Sequence, residues 1–259
     1  MTPRGLFLIF LLCSSPVFAQ DPPPSAGSNG VQFLPRYDFH MNVEHLSGDD
    51  PRFVWDTNFG GALDVVRYRD ARLTFFANYQ AMLGEQFRSF DPNQGNYILE
   101  GALTTKVAGL EVGPVFYHQS RHLSDRFKRL PIDWNMLGGR VARQVVRGPA
   151  RFDARVDLRG AVERTHVDYR WELDAGMRGQ YRVRPRVAVV GGANLRRLGV
   201  DGTRNRGGQT GFRADGGLRF EGAAGAIELF VAAERRIDPH QLEFSTATWA
   251  SVGMRLLSR

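Results

Sequence analysis

Cysteine and lysine are nearly missing from this chain of 259 residues. The single cysteine, Cys13, lies inside a short apolar leader, so a mature chain has no disulfide framework and no thiol chemistry. Lysine occurs only as Lys106 and Lys128, and the rest of the 34 basic residues are arginine. Arginine forks onto carboxylate and phosphate, which a lysine point charge does not. Long apolar runs are missing as well. The run over residues 6–12 falls far short of the roughly 20 residues that a membrane-crossing helix requires. With Arg4 before it and Val17-Phe18-Ala19 behind it, that run reads as a secretory signal peptide over residues 1–19. A Pro/Gly/Ser-rich linker is expected over residues 20–30, and residues 31–259 remain for the fold.

What this remainder has in abundance is alternation. From Val167 to Val183 the odd positions are apolar or small, including Tyr169, Trp171, Leu173, Ala175, Met177 and Tyr181. The even positions are charged or amide, apart from Gly176. A period of two is a β-strand with one apolar face and one polar face. The same pattern predicts strands over residues 36–45, 53–68, 72–83, 97–107, 110–120, 134–146, 151–163, 167–183, 186–196, 210–221, 226–235 and 245–257. Short and long connections alternate between them, broken only at residues 164–166. That is the pattern of a bacterial outer-membrane barrel, with tight turns on the periplasmic side and longer loops outside. The expected fold is therefore all-β: an antiparallel up-and-down transmembrane β-barrel of about twelve strands, closed because an open sheet edge in lipid would strand its backbone groups.

A soluble barrel with its apolar face inward is the rival architecture. Two features weigh against it: the polar face is densely ionic, and a barrel this wide is too large for apolar side chains to fill. The formal charge of +7 does not point to nucleic acid, because the arginines alternate with apolar and acidic residues instead of forming a basic tract. A charged lumen and a rim facing lipopolysaccharide phosphates fit it better, with outer-membrane lipids as partners. Asp153, Arg155, Asp157, Arg159, Asp168, Arg170, Glu172, Asp174 and Arg178 are expected to pair across the lumen.

One short segment carries chemistry. Leu110, Val112, Pro114, Phe116, His118 and Ser120 share a parity, so His118 and Ser120 reach the outer end of their strand on the lipid-facing side. Residues two apart on a strand stand about 6–7 Å apart along the backbone. An imidazole there can take the hydroxyl proton, and a serine so activated attacks an ester carbonyl. Asn135 shares parity with Leu137, Gly139 and Val141 on the following strand and is placed to orient the base. The bare His-x-Ser pair recurs at His45/Ser47 and His122/Ser124, where strand ends and loop backbone groups account for it. His45, His118, His122, His166 and His240 all map to the outer rim without metal-ligand spacing, so rim solvation accounts for them.

His118-Gln119-Ser120-Arg121-His122-Leu123-Ser124-Asp125, followed by Trp134-Asn135, resembles the active-site segment of outer-membrane phospholipase A. The resemblance covers residues 118–140 and implies a twelve-stranded barrel with Ser120 as nucleophile, His118 as base and Asn135 as orienter. It also implies a calcium ion near Asp125 and Ser124, and a homodimer that completes an acyl-chain pocket. Where the family carries a glycine two residues after the serine, this chain has His122. The same stretch is similar to an uncharacterised family of bacterial outer-membrane barrels with an H-x-S-x-H-L-x-D segment, which implies fold and location only. A lipid A deacylase is a further cousin, but it needs a glutamate as third member, and the alternation places no glutamate on the lipid face nearby. A non-catalytic barrel with a structural, adhesive or transport role is the competing class.

Overall fold

The computed structural model describes residues 30–123, 130–240 and 243–258. Every regular element among them is a strand: β1 (Val31–Leu46), β2 (Trp55–Tyr68), β3 (Ala71–Gly84), β4 (Asp91–Val107), β5 (Leu110–His122), β6 (Ile132–Arg147), β7 (Ala150–Thr165), β8 (Tyr169–Arg184), β9 (Val187–Val200), β10 (Gln209–Glu221), β11 (Gly225–Ile237) and β12 (Thr246–Ser258). Each pairs antiparallel with its sequence neighbours, and β1 pairs with β12, with His40 opposite Leu257 and Leu46 opposite Ser251. The sheet is a closed barrel with no free edge.

Closure sorts the side chains by parity. Outward go the apolar positions: Phe116, Leu158 (58% exposed), Trp171 and Val231 among many. Inward go the ionic ones. Arg140 forks onto both oxygens of Asp157 at 2.7 Å and also meets Glu100 at 2.7 Å. Arg155 reaches Asp174 at 2.9 Å, and Glu172 takes Arg159 on one oxygen and the Arg196 Nε, at 2.8 Å, on the other. Glu228, fully buried, is shared by Arg178, Arg219 at 3.3 Å and Arg255 at 3.3 Å. A buried charge is tolerated only when paired and hydrogen-bonded, and these networks meet that condition. Between them remains a cavity of about 430 Å³, reaching from Gly222 and Ser258 at the short-turn end to Gln94, Arg121 and Pro239 beneath the outer loops.

Toward the outer end of the barrel the described residues pack into two apolar clusters. Tyr117, Ile132, Trp134, Met136, Tyr169, Leu198 and Ile237 form a buried cluster, with the Trp134 and Tyr169 rings edge-to-face at 5.0 Å. Leu46, Phe53, Met82 and Trp249 form a second cluster. Over the first cluster, Arg206 from the β9–β10 connection bridges Asp168 at 2.6 Å and Asp238 at 2.7 Å, and its guanidinium is held even more firmly protonated by those two carboxylates. The Tyr169 hydroxyl donates to Asp238 at 2.7 Å.

Three expectations change. Tyr169, assigned to the outward face, is buried inside, because a register irregularity between Tyr169 and Trp171 shifts the phase of β8 at its start. The same irregularity leaves Arg170 exposed and out of the lumen network. β4 begins at Asp91, six residues before the predicted start at residue 97. The polar stretch Asn93-Gln94-Gly95-Asn96 hides the strand, yet Asn93, Gln94 and Asn96 are buried, with Gln94 donating to the Pro239 carbonyl at 3.1 Å and Asn96 to Gln80 at 2.8 Å. Residues 1–29, which carry the expected leader and most of the linker, lie outside the described residues.

Three outcomes test this architecture. Glu228→Ala leaves three arginines facing one another and is expected to cost about 3–5 kcal/mol in urea unfolding of the detergent-folded barrel. Removing the rim pair Arg164–Asp201, 2.7 Å apart, should cost under about 1 kcal/mol in the same measurement. Val156→Arg, on the lipid side, is expected to destabilise the barrel by about 2–4 kcal/mol in bilayers.

Candidate functional site

The outer ends of β5, β6 and β7 carry a polar patch on an otherwise apolar wall. His118 stands directly opposite Asn135 across the β5–β6 ladder, and Ser120 stands opposite Asp133. All four are partly exposed on the outward face. Their inward neighbours are held fast: Trp134 and Met136 flank Asn135 and are fully buried, and the Tyr117 hydroxyl donates to Gln119 at 2.7 Å behind His118. The patch therefore rests on a packed apolar cluster on the inner side of the wall.

His118 Nδ1 lies 2.8 Å from Asn135 Oδ1. The Ser120 hydroxyl is not bonded to His118. Its Oγ lies 3.2 Å from Nε2 of His122, the residue two further along the same face. The ring of His122 is packed edge-on against Tyr97 at 5.1 Å, Tyr97 against Tyr79 at 4.8 Å, and Tyr79 against Phe59 at 5.2 Å. This aromatic row depends on Gly95, since a Cβ there would come within 2.6 Å of the Tyr79 hydroxyl. Ser120 thus sits between two imidazoles at the end of an aromatic band, the usual furnishing of the membrane interface.

Sequence parity missed one member. Asn135 Nδ2 donates to Glu163 Oε2 at 2.9 Å. Simple alternation along β7 puts Glu163 in the lumen with Arg155 and Arg159. Instead Asn135 pairs with Glu163 and Met136 with Ala161, so Val162 is an extra residue and a β-bulge reverses the parity beyond it. An outward glutamate does stand beside this site, contrary to the expectation of none. The visible signal is the run Glu163-Arg164-Thr165, three polar residues where the alternation should have continued.

The other expected residues fall elsewhere. Ser124 and Asp125, assigned to calcium, lie outside the described residues. Among the described residues no group of acidic or histidine side chains is arranged to cage a metal ion. Asp133 is occupied with Thr165, whose Oγ1 is 3.4 Å from its Oδ1. His45 packs edge-on against Trp55 at 4.7 Å, and the Ser47 hydroxyl accepts the Ala250 amide at 2.9 Å, so this His-x-Ser pair has a structural explanation.

No family model matches the chain, and no curated protein matches it. Solved structures do. Outer membrane phospholipase A from Escherichia coli aligns with a TM-score of 0.54 at 13% identity, over 85% of this chain and 92% of its own. The Salmonella typhi outer membrane phospholipase dimer with bound calcium gives 0.54 at 12% identity, over 86% and 90%. An outer membrane channel from Pseudomonas putida F1 gives 0.51 at 14% identity, over 92% and 99%. At such identities a shared fold is what the likeness establishes. With its closed ladder of twelve strands, ionic lumen and apolar outer belt, this chain is an outer-membrane β-barrel of the phospholipase A-like fold.

Proposed function

We propose that this barrel is a serine esterase that cleaves acyl esters of outer-membrane lipids, in the manner of a phospholipase A. The observation that carries the reading is the His118–Asn135 pair, 2.8 Å apart on the outward face, with a serine two residues further along the same strand. A base held by an amide beside a hydroxyl is the arrangement that acyl transfer requires. Its position on the outer wall presents it to lipid and not to solutes in the lumen.

In the proposed cycle the Ser120 hydroxyl swings from His122 to His118. His118 Nε2 takes its proton as Oγ bonds to the ester carbonyl carbon. The ester C–O bond then breaks, and the leaving lyso-lipid oxygen takes that proton from His118. Water repeats the sequence: His118 removes its proton, the hydroxide releases the fatty acid, and Ser120 recovers its hydrogen. Asn135 holds the ring throughout. His122 holds the hydroxyl at rest, a part that a glycine could not play. Calcium held by Asp125 and Ser124 would supply positive charge to the developing oxyanion. A homodimer that completes an acyl-chain pocket belongs to the same proposal, as do phospholipid and lipopolysaccharide as substrates.

Refolded protein in mixed micelles with phospholipid tests the reading. Ser120→Ala and His118→Ala are each expected to lower fatty-acid release at least about a thousand-fold while the heat-modifiable migration of the folded barrel persists. His122→Ala should lower it only several-fold. Full activity in Ser120→Ala removes the esterase assignment, and the reverse ranking of the two histidines transfers the role of base to His122. Chelation of calcium should lower the wild-type rate, and Asp125→Ala should raise the calcium concentration needed.

A transport function is the second reading, favoured by the lumen cavity of about 430 Å³. The Arg206 bridge and the aromatic cluster above that cavity stand in its way. Planar bilayers are therefore expected to show little conductance for the wild type and more for Arg206→Ser. Steady wild-type conductance together with an inert Ser120 would favour transport.

A further inference from the structure

We infer that Glu163 is a positioning residue of this site: it holds Asn135 in the one amide orientation that makes His118 a base. This rests on the esterase reading for its kinetic consequence, but the orientation itself can be observed without any activity.

The chain of reasoning starts from donors and acceptors. The two ends of an asparagine amide are nearly the same size, so packing alone does not choose between them. An ionised carboxylate only accepts, so it can face only the Nδ2 end of Asn135. Glu163 Oε2 is 2.9 Å from that nitrogen. Oδ1 must then point the other way, and it lies 2.8 Å from His118 Nδ1. A carbonyl oxygen also only accepts, so Nδ1 carries the hydrogen and Nε2 keeps its lone pair. That is the tautomer able to take a hydroxyl proton. Were the amide reversed, its NH₂ would face Nδ1, the hydrogen would move to Nε2, and the ring could accept nothing from Ser120.

Glu163 is suited to this task and to no other visible one. It is exposed and has no ion-pair partner among the described residues. It reaches the outward face only because Val162 bulges, and bulges commonly re-aim a side chain beside a site. The residues between Glu163 and the serine form one outward path over three adjacent strands: Glu163 on β7, Asn135 on β6, His118 and Ser120 on β5.

The experiment uses the full refolded barrel, with wild type, Glu163→Gln and Glu163→Leu compared after ¹⁵N-histidine labelling. The His118 signals are identified by their loss in His118→Ala. Wild type and Glu163→Gln, whose amide oxygen can still accept from Asn135, should show Nδ1 protonated and Nε2 bare. Glu163→Leu should shift His118 toward the Nε2-protonated form. On phospholipid micelles, Glu163→Leu should lower kcat about 10–100-fold with KM changed less than about twofold, and Glu163→Gln should restore most of the rate. An unchanged His118 tautomer in a folded Glu163→Leu barrel overturns the inference. A tautomer shift in a protein that lacks esterase activity leaves the inference standing and sinks the esterase reading. Normal kcat in Glu163→Leu with an active wild type does the opposite. Should Glu163→Leu fail to fold, Glu163→Thr provides the same loss of a reaching acceptor on a β-branched residue.

Discussion

The whole molecule depends on a backbone that cannot leave its hydrogen-bonding groups unpaired in an apolar medium. A sheet satisfies that demand only by closing on itself, and here β1 meets β12 to do so. Closure converts the two-residue period of a strand into a division between outside and inside. Each side chain in the wall must face either acyl tails or the lumen. The apolar belt, the ionic interior and the lipid-facing histidine–asparagine pair are all consequences of that single division.

Arginine in place of lysine follows from the same geometry. A twelve-stranded lumen is too wide to fill with aliphatic groups, and the charges buried in it need partners. The guanidinium answers both needs, with a long stem to occupy volume and a planar head that engages several carboxylates at once. The heads also lie against aromatic faces, Arg255 over Phe230 at 3.9 Å and Arg159 over Tyr117 at 4.2 Å. Tyr117 in turn belongs to the packed cluster behind the outer patch. The electrostatics of the interior thus support the wall on which His118 and Asn135 are mounted.

Much of this was legible in the residues themselves. Alternation gave the strands, and the parity of Leu110 to Ser120 and of Asn135 to Val141 gave the outward face for His118, Ser120 and Asn135. What alternation could not supply was phase after an irregularity. One inserted residue reverses every later position, and its only trace is a broken rhythm. Tyr169 was assigned to the wrong side for this reason, and the outward Glu163 was missed. The start of β4 was hidden differently, because buried amides that bond loop carbonyls look like loop residues in a sequence. The contact between Ser120 and His122 depends on side-chain torsions, for which a one-dimensional pattern carries no information.

The bulge at Val162 has a further meaning for how such a wall changes over generations. Point substitutions alter what a position offers but not which side it serves. If Val162 instead paired with Asn135 in regular register, Glu163 would turn inward among the arginines and leave Asn135 without its carboxylate, with every amino acid of the patch still present. Barrels of this type can therefore gain or shed a chemical arrangement by a shift in strand register of one, and two relatives with the same residues in the same order need not share a site.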